Sequence, residues 1–167
     1  MKLRDTSIAI LSDLRSILIQ LSDEEFKLPL AIFSEASVGQ HTRHILEFFQ
    51  CLIQSYSTDI ICYDDRTRSL DLESNVTFAI EKLDQICQDL DEIRSDKTLN
   101  LAGQLSETRF SVQSSMMREM IYVVEHTVHH LAVIKIGLVV NFPEINIPDN
   151  FGVADSTQRF KNSKCAR

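Results

Sequence analysis

Residues 115–140 read SMMREMIYVVEHTVHHLAVIKIGLVV, and what this stretch folds into decides what the rest of the chain must do. Its apolar residues cover nearly every side of a helical wheel. The pattern predicts a helix over Ser115–Val140 that lies centrally among others. Asn141 and Pro143 supply its stop. Arg118, Glu119, Glu125, three His and Lys135 fall within it, too much charge and polarity for a membrane span.

A central helix needs partners, and three more periodic stretches offer them. Ile8, Leu11, Leu14, Ile17, Leu18 and Leu21 recur at three- and four-residue spacing and predict a helix over Thr6–Leu21, with Asp13 and Arg15 outside. Ser34–Ser37 offers N-cap residues for a second helix over Ser37–Ser57, with Val38, His41, Ile45, Phe48, Phe49 and Leu52 inward. Val76, Ile80, Leu83, Ile86 (or Cys87) and Leu90 predict a third over Leu72–Arg94. Between the first two, Ser22-Asp23-Glu24-Glu25 and Pro29 read as a break, and Cys62–Arg68 reads as a charged loop. Leu99–Leu105 and Thr108–Gln113 alternate partially around Ser106-Glu107 and predict a short hairpin. The expectation is an all-α four-helix bundle over residues 1–142, with that hairpin between its third and fourth helices. A tail over 143–167, turning at Pro148, Asp149 and Gly152 and basic at Arg159, Lys161, Lys164 and Arg167, would pack on the bundle or extend from it.

Composition narrows the function. The chain has 167 residues, enough for one domain. Hydrophobic residues at 44% and charged residues at 25% fit a globular protein rather than a disordered one. A net charge of -7 argues against nucleic acid as a partner, since phosphates must be met by a basic face. Cys51, Cys62, Cys87 and Cys165 form no C-x-x-C pair and fit neither a zinc ribbon nor a disulfide scaffold. Met1–Ser7 leads into no apolar signal region, so a reducing cytoplasm is the expected compartment.

The five histidines fall in two clusters, His41 with His44 and His126 with His129 and His130. His126 and His130 are four apart, one turn up the same helical face, close enough to share a cation. Burying several imidazoles on an apolar helix without partners is costly, and a metal ion removes that cost. His44, on another helix, supplies a third nitrogen. Three nitrogens leave a position for water or substrate, as catalytic sites do. His41, three residues before His44, and His129, about 60° around the axis from His126, are alternative ligands or outer neighbours, and His129 can also pair with Glu125. Tyr122, one turn before His126, can donate to a metal-bound water or substrate, or can be a core Tyr with its hydroxyl at the rim. Glu47 can orient an imidazole, and the loop Asp64–Arg68 can bind an anion with its guanidiniums, although each is also readable as a solvated face.

The segment Ser37-Val38-Gly39-Gln40-His41-Thr42-Arg43-His44-Ile45-Leu46-Glu47 resembles the second-helix signature of the DinB/YfiT-like metalloenzyme family. Glu125-His126-Thr127-Val128-His129-His130-Leu131-Ala132 is similar to that family's fourth-helix H-x-x-H-H signature. The resemblance implies an up-down-down-up bundle, often a homodimer. It implies a site for zinc or nickel made by His44, His126 and His130, and a small-molecule substrate. It also implies activities that run from thiol-dependent S-transfer and isomerisation to metal-dependent hydrolysis. The chain departs from the family where Arg-Gly-Gln often follows the last His, since Leu131-Ala132-Val133 stands there; that is closer to the hydrolase-like branch. The contrasting expectation is a non-catalytic metal-binding or dimerisation bundle that binds a small molecule.

Overall fold

The computed structural model describes residues 2–165. The side chains of Asn162, Lys164 and Cys165, and Arg167 altogether, lie outside the described residues, and with them the tail thiol and part of the basic tail. Helix α1 (Lys2–Leu18) is followed by α2 (Asp23–Lys27), α3 (Val38–Thr58), strand β1 (Ile60–Cys62), α4 (Leu70–Ser74), α5 (Val76–Asp91), β2 (Thr98–Leu105), β3 (Thr108–Ser115), α6 (Met116–Asn141) and α7 (Asp155–Cys165).

The expectation of an all-α four-helix bundle is overturned. Seven α-helices share the described chain with a three-stranded mixed sheet of order β1-β2-β3, so the fold mixes α and β. The hairpin lies where the alternation placed it, but a third strand converts it into a sheet. Asp59 ends α3 in the left-handed region at φ 61° and turns the chain straight into Ile60-Ile61-Cys62. These residues pair in parallel with Asn100, Leu101 and Ala102, and Asn100 donates its N–H to the carbonyl of Asp59 at 2.8 Å. An isolated two-stranded hairpin is marginal in water. The added strand, the burial of Ile61 and Leu99, and the Lys97–Asp59 ion pair hold this one against α3.

The helices meet on a shared apolar core. Leu11, Leu14, Ile17 and Leu18 of α1, Ile45, Phe49 and Leu52 of α3, Leu83, Ile86 and Leu90 of α5, and Met120, Val123, Leu131 and Ile134 of α6 are all buried. The single helix expected over Leu72–Arg94 is two, broken at Asn75. That side chain accepts from the Phe78 N–H at 2.9 Å, and Asp23 accepts from the Val76 N–H at 2.7 Å. Ser22 and Glu25 form a reciprocal capping box, so the segment expected to be a break starts α2 instead. Helix α6 is not enclosed on all sides, for Ile121, Ile136, Val139 and Val140 are each more than half exposed. After α6 the chain returns to the core at Ile145 and Phe151, and Lys135 donates to the carbonyl of Asp149 at 3.2 Å.

Candidate metal centre

Helix α3 brings His41 and His44, and α6 brings Tyr122, His126, His129 and His130. The two helices pack directly on each other. Both are capped at their N-termini by a serine. Ser37 caps α3 by accepting from the Gln40 N–H at 3.1 Å, and Ser115 caps α6 by accepting from the Arg118 N–H at 3.3 Å. Where the hydroxyl satisfies an otherwise unpaired amide, the first turn is fixed, and so is the azimuth of each histidine that follows.

His44 Nε2 lies 2.8 Å from His126 Nε2, and His130 Nε2 lies 3.2 Å from that same atom. The ligand atoms of the three residues all lie within 4.8 Å of one another. Imidazole nitrogens around a tetrahedral Zn²⁺, each at 2.0–2.1 Å, stand about 3.3 Å apart, so the spacing is close to what one ion requires. A neutral imidazole nitrogen carries either one N–H or one lone pair. His126 Nε2 therefore makes one good hydrogen bond, yet two ring nitrogens press on it. A cation resolves this crowding by taking all three lone pairs. The group can hold a metal ion.

The other named residues fall outside the group. His41 Nδ1 lies 3.1 Å from His130 Nδ1, on the opposite edge of that ring. His129 is exposed, its ring centroid 6.4 Å from that of His126, and it forms no ion pair with Glu125 among the described residues. Tyr122 meets His126 ring to ring, at 5.7 Å and 18°. Glu47 is buried but makes no hydrogen bond to an imidazole among the described residues. It accepts from the Ser69 N–H at 2.8 Å and lies 3.9 Å from the Arg66 guanidinium, so it fastens the loop before α4. Cys51, Cys62 and Cys87 are free, and burial pushes the Cys51 thiol up to about 11, which removes it as a nucleophile.

Burial sets the charge state of the site. It pushes His44 down to about 4, helped by the positive charge of Arg66, and His130 down to about 3, helped by His44. His126 and His41 are lowered mainly by burial, then by His129. The imidazoles are neutral at neutral pH, with lone pairs ready for an ion. The sign of the stability effect follows. An unfolded His protonates near pH 6.5, while folded His44 and His130 resist until about 4 and about 3. The unfolded chain thus gains protons first, and stability falls as pH drops from about 6.5 towards 4. For protein stripped with chelator, the melting temperature is expected to fall between pH 7 and 4.5 more steeply than in a His44→Leu/His130→Leu variant. Parallel slopes would refute this.

Two further groups shape the surroundings: Glu119, which has no local signal in the sequence, and Arg66, from the loop whose guanidiniums the sequence singled out. Glu119 is fully buried and accepts from the Tyr63 hydroxyl at 2.9 Å, from Arg118 at 2.8 Å and from Ser114. It ties β3 and the loop after β1 to α6, and stands Tyr63 against Phe48 at 4.7 Å and 13°. Arg66 lies over the Phe48 ring at 4.7 Å, and that ring is 4.5 Å from both His44 and His126. A cavity of about 290 Å³ borders this aromatic wall, lined by Tyr63, Leu101, Phe110, Arg118 and Tyr122. A larger one, about 510 Å³, lies between α1, α6 and the returning chain, and a histidine lines neither of the two.

Comparison with protein-family models, with curated proteins and with solved structures returns no match.

Proposed function

We propose that this chain is a divalent-metal-dependent enzyme whose ion is held by His44, His126 and His130. The convergence of three neutral imidazole nitrogens on one point between α3 and α6 carries the reading. Nitrogen donors of this kind suit zinc or nickel. The ion would supply Lewis acidity, lowering the pKa of a bound water or substrate thiol so that an anionic nucleophile exists near neutral pH. The protein's own part is to exclude water and orient the substrate. Phe48, Tyr63 and Tyr122 form an apolar wall beside His126. The cavity of about 290 Å³ on the Tyr63 and Tyr122 side of that wall offers room for a small-molecule substrate. Arg66 places a positive charge near His44 and His126. Membership of the DinB/YfiT-like family is part of the same proposal. It is supported by the fact that both segments carrying the resemblance contribute to this one group.

The test is metal analysis. Protein stripped with chelator and dialysed against zinc, nickel or cobalt at neutral pH is expected to keep about one ion per chain. Retention of no ion by the folded protein would end the proposal.

A further inference from the structure

We propose that His41 is a positioning residue that holds His130 in the tautomer a metal ion needs. This rests on the three-histidine reading above. His130 turns its Nε2 towards His126 and its Nδ1 towards His41. A ring nitrogen that ligates a cation must offer its lone pair, so the single proton of a neutral imidazole stays on the other nitrogen. For His130 that places the proton on Nδ1. His41 Nδ1, at 3.1 Å, is the hydrogen-bond partner of that nitrogen among the described residues. It must therefore accept, and the proton of His41 must stand on Nε2.

The alternative arrangement is equally definite. If His41 donates from Nδ1, His130 accepts there and carries its proton on Nε2, aimed at His126 Nε2 3.2 Å away. That arrangement blocks the ion. The two rings thus switch together, and a metal selects the first arrangement. In both, His41 Nε2 is buried with no hydrogen-bond partner, and the Phe33 ring stands 4.9 Å off at 82°. Nothing on that side competes for His41 or turns it away from His130. Ligating histidines ordinarily give this outer N–H to a carboxylate or a carbonyl. Here an imidazole from the facing helix accepts it.

The experiment measures zinc affinity by chelator competition, together with long-range ¹H–¹⁵N spectra of the histidine rings in zinc-loaded protein. The His41→Phe variant keeps the ring's shape and removes the acceptor, and is expected to bind zinc 10–100-fold more weakly. The His41→Asn variant places an amide oxygen near the lost Nδ1 and is expected to recover to within about threefold of the wild type, which a purely steric role would not produce. In the loaded wild type, His130 should carry its proton on Nδ1 and His41 should carry its own on Nε2. Unchanged affinity in a folded His41→Phe variant, or a loaded wild type whose His41 carries its proton on Nδ1, would overturn the proposal and leave the metal site standing. The spectrum of the wild type decides the matter even where a variant fails to fold. A wild type that binds no zinc would take both readings down together.

Discussion

The His126→Ala variant is expected to lose more than about 100-fold in zinc affinity, beyond the 10–100-fold typical of residues that only support a ligand. The reason is geometric. His126 Nε2 is the atom that both other nitrogens approach, at 2.8 and 3.2 Å, so its removal leaves two imidazoles without their common point. The loss is readable as stability. An ion present at 100 times its dissociation constant stabilises the folded state by about 2.7 kcal/mol, and one present at its dissociation constant by about 0.4 kcal/mol. At 2–4 °C per kcal/mol for a chain of this size, zinc should raise the wild-type melting temperature by roughly 5–11 °C and that of the variant by only about 1–2 °C. The His129→Ala variant is the internal control. It removes a neighbouring imidazole that is exposed and outside the group, and should keep the full shift. Equal zinc shifts in the wild type and His126→Ala would show that the ion, if bound, sits elsewhere.

The two histidine clusters were legible because a helix converts spacing into direction by a rule that needs no partner. Steps of 100° put His126 and His130 together and swing His129 aside, as the structure has it. What His41 does was not legible, because its partner is 89 positions away on α6. The third strand was missed for the same kind of reason. Ile60-Ile61-Cys62 is three residues long, and only its parallel partner about forty positions on makes it a strand. The break at Asn75 depends on Asp23, which reaches the Val76 N–H from α2, so the apolar period ran on across it. By contrast the capping box at Ser22 and Glu25 was a local signal, and Pro29 four residues later concealed it. The burial of Glu119 follows from what β3 and the Tyr63 loop lay over it, which no helical wheel contains.

The Gly39→Ala variant is expected to destabilise the protein by roughly 2 kcal/mol or more, although alanine is the better helix former by about 1 kcal/mol. A Cβ at this position would stand 2.0 Å from the carbonyl oxygen of Glu73, 2.8 Å from its carbon and 3.0 Å from the carbonyl oxygen of Phe26. All three are backbone atoms, so no rotamer change relieves them, and α3 must part from α4 and the end of α2. Those contacts are tight: Leu72 and Phe26 are buried, and Arg43 pairs with Glu73 across the same seam. Overpacking of this kind costs 1–3 kcal/mol or more and outweighs the gain in propensity. The displacement would reach the site, because Gly39 lies two residues before His41 and five before His44 on one rigid helix. Zinc affinity should therefore fall with stability. The comparison that isolates the cause is Gly137→Ala, where a Cβ also meets an atom at 2.0 Å, but the atom is the end of the Phe33 ring. That ring is only partly buried and can rotate away, so the cost should be smaller. Urea melts of the two variants decide it: a Gly39→Ala variant as stable as the wild type, or less affected than Gly137→Ala, would show that the α3–α4 seam yields more readily than its backbone contacts imply.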